Sequence, residues 1–343
     1  MIKPPCLHPG DTIGLVSPSS SLAGRIPHRL HKGIQTLEQL GFRVKLGAHT
    51  TSVTRYTAGS PEQRAEDINQ FFADPNIHAV LSCIGGFHTN QILPFLDFSL
   101  IQKNPKAVIG YSDITVLLNA LYTKCNLVSF YGPAVLTQFG DPFGLMSYTE
   151  TWFQKALLSH TPLGEITPSP QWTDEVLDWF EQKDCVRPRI MQQNPGWKWL
   201  KKGNGEGRLL GGCVSSLLHL RGTEYMPDFA SSILFWEISN NGKDLRVGES
   251  VQAVDSHLTD LALSNVFENI HGMIIGRPFG YSSQDVEMLE QIILAHTKKY
   301  SFPILFGVDI GHTDPIITLP LGIRARLDSE KNLFLILEEA TTY

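Results

Sequence analysis

The stretch AVIGYSDITVLLNAL, Ala107 to Leu121, decides the fold class. Its first residues, Ala107-Val108-Ile109-Gly110, form a short, continuously apolar run with no polar alternation, as in a strand buried on both faces. The run ends in Gly110-Tyr111-Ser112-Asp113, and the segment ITVLLNALYTKC that follows reads as a helix. A strand that turns sharply into a helix is the repeating unit of a parallel sheet covered by helices. The same pattern lies on its N-terminal side. HAVLSCIGG (78–86) is a buried strand running into paired glycines, FRVKLG (42–47) can form another, and DTIGLVSPSS (11–20) is a strand ending in a Ser/Pro loop. Between them, Leu30, Ile34, Leu37 and Leu40 keep helical spacing up to the stop at Gly41. SPEQRAEDINQFF carries a marked helix start, with Ser60 as N-cap, Pro61 at the first position and Gln63 placed to close a capping box.

Composition changes near residue 160. From Thr161 to Gly207 the chain holds four of its six tryptophans (Trp172, Trp179, Trp197, Trp199) among prolines, glycines and charges, with no clean period. So long an irregular segment is usually functional or a linker, and its tryptophans argue against simple disorder. Strand-like runs follow: GRLLGG leading into a short helix, then SILFWEIS, GMIIGRP and PILFGVDIG. A terminal pair, ITLPLGIRARLD and NLFLILEE, is joined by the polar SEKN turn. The expected architecture is α/β: a Rossmann-like parallel sheet with helices over residues 1–160, a Trp-rich connector or active-site loop over 161–207, and a strand-rich α/β domain over 208–343.

The 343 residues are 42% apolar and 18% charged, which suits a chain with a sizeable core. A net charge of −6 without a basic block argues against a nucleic-acid polymer or a membrane surface as partner. No apolar run approaches a membrane span of ~20 residues, and MIKPPCLHPGD lacks the marks of a signal peptide. Five scattered cysteines, never spaced C-x-x-C, read as reduced thiols rather than a disulfide or zinc framework. The expected address is the cytoplasm.

Ser112 is the first candidate for chemistry. A serine at a strand-to-helix turn stands at the C-terminal edge of the sheet, where such folds bind ligands. It can be a nucleophile or a simple helix cap. Gly86 and Asp113 carry backbone N–H groups at the same edge, fit to hold an oxyanion. A serine nucleophile needs an imidazole base and a carboxylate to orient it. Among twelve histidines, His88 and His312 stand out, His312 in the Gly-rich loop FGVDIGHTDP. A metal site from Asp309, His312 and Asp314 is a thin ligand set. Glu237 closes the apolar run SILFWE, where a buried carboxylate would require a partner. GRLLGGCVSSL lacks the Lys-Ser/Thr of a phosphate loop.

Taken together, GDTIGLVSPSS, RAEDINQFF, the Ile-Gly-Gly of 84–86, GYSDIT, the Phe-Tyr-Gly-Pro of 130–133, GRLLGG, SILFWE and GHTDP with ITLPLG resemble one family. It is the serine peptidases that include LD-carboxypeptidases and the microcin C immunity protein, and the resemblance spans almost the whole chain. It implies a Ser112–Glu237–His312 triad, an oxyanion hole from the Gly86 and Asp113 amides, and a homodimer with neither metal nor cofactor. Three features look like the immunity branch, which hydrolyses the carboxamide of a peptidyl or aminoacyl nucleotide. They are Phe-Tyr-Gly-Pro, the Trp-bearing connector, and IGGFHTN, whose Thr89-Asn90 resembles that branch's Ser-Asn. Asn90 and a stacking tryptophan, Trp197 or else Trp179, are the implied substrate contacts. Cys213, where the family usually has Asn, and Ile238, where Asp is common, depart from the pattern. The alternatives are an LD-carboxypeptidase releasing D-alanine from murein tetrapeptide, and a non-catalytic protein that clamps a small ligand.

Overall fold

Five strand-like segments of the first half become five parallel strands: β1 (Thr12–Val16), β2 (Arg43–Leu46), β3 (Ala79–Ser82), β4 (Ala107–Gly110) and β5 (Ser129–Tyr131). Their spatial order is 2-1-3-4-5, a doubly wound arrangement whose strand order reverses between β1 and β3. A computed structural model describes all residues, 1–343. β3 and β4 are buried along their whole length, as their unbroken apolar runs require.

The connecting helices are α1 (Leu22–Arg25), α2 (Pro27–Gln39), α3 (Pro61–Ala73), α4 (Phe98–Lys103) and α5 (Thr115–Cys125). The expected capping box at Ser60 is present: its hydroxyl accepts the Gln63 N–H, and the Gln63 side chain accepts the Ser60 N–H. One 3-10 turn, Ser112–Ile114, joins β4 to α5. Another helix, α6 (Ser147–Leu157), closes this half.

The connector then supplies β6 (Gly164–Ile166), the small hairpin of β7 (Gln171–Trp172) and β8 (Gln192–Gln193), and β9 (Lys198–Lys201). Next come β10 (Asn204–Cys213), α7 (Val214–Leu217), β11 (Ser232–Glu237), α8 (Val251–Leu263), β12 (Gly272–Gly276), α9 (Ser283–His296) and β13 (Ile304–Val308). The chain ends with β14 (Leu319–Leu321), β15 (Arg324–Asp328) and β16 (Leu333–Ile336). The second sheet runs 6-16-15-10-11-12-13-9, with β10 to β13 parallel and antiparallel strands on both sides.

Two features differ from the sequence reading. The irregular segment provides both edges of the second sheet, β6 and β9, so it is a strap laid across that sheet. The run ITLPLGIRARLD, expected as one strand, is divided between the sheets. Its first part is buried throughout and pairs antiparallel with β5 as the edge of the first sheet. Pro320, which has no N–H to give, is tolerated on such an edge. RARLD alternates exposed and buried and pairs with β10 and β16. One cluster of 85 buried residues runs through both sheets, so the halves share a core. No helix is long and apolar enough to cross a membrane.

Candidate active site

The C-terminal ends of the parallel strands in both sheets face one cavity. Beyond the end of β4, Ser112 adopts φ 61°, a left-handed conformation that costs a non-glycine residue about 1 kcal/mol or more. Glu237 is the last residue of β11, and His312 lies in the loop after β13. His312 Nε2 is 3.0 Å from Ser112 Oγ, and His312 Nδ1 is 2.8 Å from Glu237 Oε2. A carboxylate accepts but does not donate, so the proton sits on Nδ1. The Nε2 lone pair is then left facing the serine hydroxyl. Glu237 is fully buried. Gly311, at φ +92°, makes room for it: a Cβ there would stand 2.3 Å from Glu237 Oε2.

Gly85 and Gly86 follow β3 on the serine side of the cavity. A Cβ on Gly85 would fall 2.9 Å from Ser112 Cβ and 3.0 Å from both Ser112 Oγ and Asp113 N, so only glycine leaves this space open. The Gly86 N–H has no acceptor within the protein. The Asp113 carboxylate is buried and its Oδ2 accepts from the N–H groups of His88 and Thr89 and from the Thr89 hydroxyl. That side chain clamps the glycine loop against the serine turn. The helix starting there also places its positive end at the same point, which favours developing negative charge.

The cavity is about 420 Å³ in volume and takes its walls from both halves and the connector. Ser112, His312, Gly86 and Trp179 line it; Glu237 sits behind His312. The Trp179 ring rests on the Arg29 guanidinium at 4.4 Å, and Arg29 pairs with Asp184 at 2.7 Å. Trp197 lies outside the cavity, its Nε1 donating to Asp309 and its ring beside Phe334. Asn90 is exposed and also outside it. His88 lines the wall, its ring stacked on Tyr56. Burial pushes the His88 imidazole below its ordinary value.

Asp309 and Asp314 hold structure rather than open ligand positions. Asp309 is buried and accepts from Ser169, Asn194 and Trp197 of the connector and from Arg277. Asp314 accepts from Gln138 and Arg189, and Arg189 also pairs with Asp141. His28, Asp184 and Cys185 bring ligand atoms within 4.8 Å of one another. The Arg29 guanidinium occupies Asp184, which puts a fixed cation where a metal would need charge.

Residues 13–132 match the LD-carboxypeptidase N-terminal domain, and residues 206–327 match the C-terminal domain of the same family. The chain belongs to the LD-carboxypeptidase family. It is a hydrolase of the serine-peptidase type, α/β in both halves. The microcin C7 self-immunity protein of Escherichia coli is 32% identical over 337 residues, covering 96% of this chain and 94% of that one. A structure of the microcin C7 self-immunity protein in complex with aspartyl sulfamoyl adenosine superposes with a TM-score of 0.91 at 31% identity, each chain covered completely. A probable murein peptide carboxypeptidase of Bacillus subtilis is 29% identical over 345 residues, covering 97% and 94%.

Within this LD-carboxypeptidase fold, Tyr131 of the Phe-Tyr-Gly-Pro motif joins the site without a role legible from sequence. Its hydroxyl donates to Glu237 Oε1 at 2.5 Å and accepts the Ser112 N–H at 3.2 Å. The available signal was its position at the end of β5, beside Gly110 in register. Tyr111 is also at the site, its ring meeting the His312 imidazole edge-on at 5.2 Å.

Proposed function

We propose that the protein is a serine amidohydrolase that cleaves the carboxamide bond of an aminoacyl or peptidyl nucleotide. The observation that carries the chemistry is the unbroken chain Ser112 Oγ, His312 imidazole, Glu237 carboxylate, with the serine held in a left-handed turn. In this reading His312 takes the Ser112 proton as the hydroxyl attacks the amide carbonyl, and Glu237 stabilises the imidazolium. The N–H groups of Gly86 and Asp113 hold the oxyanion; one such donor is typically worth about 3 kcal/mol. His312 then protonates the leaving amine, and water releases the acyl group.

The nucleotide is supported by the likeness to an immunity protein with a bound aspartyl sulfamoyl adenosine, and by the presence of Trp179 in the cavity wall. We place stacking on Trp179 rather than Trp197, because Trp179 lines the cavity. Arg25 also lines it. Its side chain bonds only Ser21 Oγ and the Arg55 carbonyl, so its charge is free for an anionic group of the substrate.

A second reading, LD-carboxypeptidase action on murein tetrapeptide, is favoured by the likeness to the murein peptide carboxypeptidase. A paired assay separates them, with aspartyl sulfamoyl adenosine in one tube, murein tetrapeptide in the other, and Ser112→Ala protein as control. Hydrolysis of the nucleotide alone is expected; hydrolysis of the tetrapeptide alone would overturn the nucleotide reading. If neither is cleaved and a serine-reactive phosphonate does not label Ser112, the protein is a binder.

A further inference from the structure

Glu237 has two carboxylate oxygens, and His312 uses one. Oε2 faces His312 Nδ1 at 2.8 Å, and Oε1 accepts the Tyr131 hydroxyl proton at 2.5 Å. The phenol oxygen in turn accepts the Ser112 N–H at 3.2 Å. Tyr131 and Glu237 are both buried, so water does not compete for these bonds. Tyr131 belongs to β5 of the first sheet and Glu237 to β11 of the second. One side chain therefore touches the backbone of the serine and the carboxylate that orients the histidine.

We infer that Tyr131 is a positioning residue: its hydroxyl aims the Glu237 carboxylate at His312 and pins the left-handed turn of Ser112. The inference rests on the Ser112–His312–Glu237 reading of the site. A carboxylate bonded at one oxygen only can rotate or take up a proton, and a second donor favours the ionised form and fixes its plane. An acceptor on the Ser112 N–H also helps hold a backbone conformation that a serine adopts at a cost.

The sign of the pH effect follows from charge. With His312 neutral, the Glu237–His312 pair carries −1; after proton uptake it is neutral. The Tyr131 O–H stabilises the anionic state more. Removing it makes the pair take up its proton at higher pH, so the acid limb of activity moves up. Other titratable groups face the pair. Cys213 ends β10 in register with Glu237, and Tyr111 meets His312 edge-on. Burial pushes the Cys213 thiol and the Tyr111 and Tyr131 phenols well above their ordinary values, so all three stay neutral at working pH. Farther out, Asp314 is held by Arg189 and Gln138, and Glu249 lies 2.8 Å from His257.

The test is the rate at which a fluorophosphonate labels the intact protein, followed against pH, because it does not depend on the natural substrate. Tyr131→Phe is expected to label about 10- to 100-fold more slowly at neutral pH, with its acid limb moved upward. In a Glu237→Ala background the same change is expected to cost clearly less, since the part exerted through Glu237 is gone and only the bond to the Ser112 N–H remains to be lost. An equal loss in both backgrounds with an unmoved limb would overturn the inference and leave Tyr131 a packing residue. If Tyr131→Phe does not fold, 3-fluorotyrosine at position 131 keeps every packing atom and is a stronger donor. Its acid limb should move down, and an unmoved limb overturns the inference. Wild-type protein that labels no faster than Ser112→Ala would remove the triad reading itself, an outcome distinct from a normal wild type with an unaltered Tyr131→Phe.

Discussion

Ser112 and Gly85 set the local stakes. Replacing Ser112 by Ala removes the atom that His312 addresses and exposes no new polar group. We therefore expect folding to be intact and kcat to fall by about 10⁴-fold or more. Retention of most activity in that variant would refute the nucleophile assignment. Gly85→Ala is a finer test, because Gly85 is not in a left-handed conformation and the backbone itself tolerates alanine. The cost is spatial: the new methyl would press on Ser112 Cβ, Ser112 Oγ and the Asp113 amide. A misplacement of about 1 Å at a nucleophile can cost on the order of 10²-fold in rate. The expected outcome is a large fall in kcat with an unchanged far-ultraviolet circular dichroism spectrum. A variant with normal kcat would mean that the space beside Ser112 is not used.

The connector is the element whose role was least legible beforehand. β3, β4 and the Ser60 helix start could be read because their signals are local, an unbroken apolar run or a capping residue at a fixed offset. The strand ends that carry the proposed chemistry were visible by the same logic, since Ser112, Glu237 and Gly86 each sit where an apolar run stops, while their joining into one triad came from the family resemblance. The division of ITLPLGIRARLD between two sheets depends on non-local pairing with β5 and β10, which no short window contains. The order read from the sequence, Trp197 before Trp179, suffers from a similar lack of local signal, and it is Trp179 that lines the cavity. Nothing near either one shows that Arg29, some 150 positions earlier, backs the first, while Asp309 takes the second. The structure now separates their tests. Trp179→Ala removes a stacking surface worth about 1–3 kcal/mol. It should raise KM for the aspartyl nucleotide about tenfold or more, and leave thermal stability nearly unchanged. Asp309→Ala strips the buried Arg277 of its anion and releases Ser169, Asn194 and Trp197 together. It should destabilise the protein by about 3–5 kcal/mol and speed proteolysis between residues 167 and 197. A Trp179→Ala enzyme with unchanged KM for the nucleotide would move stacking elsewhere.

At the scale of the whole molecule, the site is assembled from parts that cannot work apart. Ser112 and the glycine loop stand on the first sheet, Glu237 and His312 on the second, and Tyr131 reaches across. β14 returns from the C-terminal half to close the first sheet, and a single buried cluster runs through both. Separating the halves would expose the β5 edge and the shared core, so cooperative unfolding is the expected behaviour. Two buried tryptophans report on the halves separately, Trp152 on α6 and Trp236 on β11. Urea unfolding followed through each alone, with the other tryptophans replaced by Phe, should give coincident midpoints. A ligand that spans the cavity contacts both halves and should shift both transitions by the same amount. At a free concentration of 100 times its Kd the gain is about 2.7 kcal/mol. Separate midpoints, or a ligand shift confined to one reporter, would show that the halves fold and bind as independent units. The catalytic geometry would then be set by how they meet rather than by a common core.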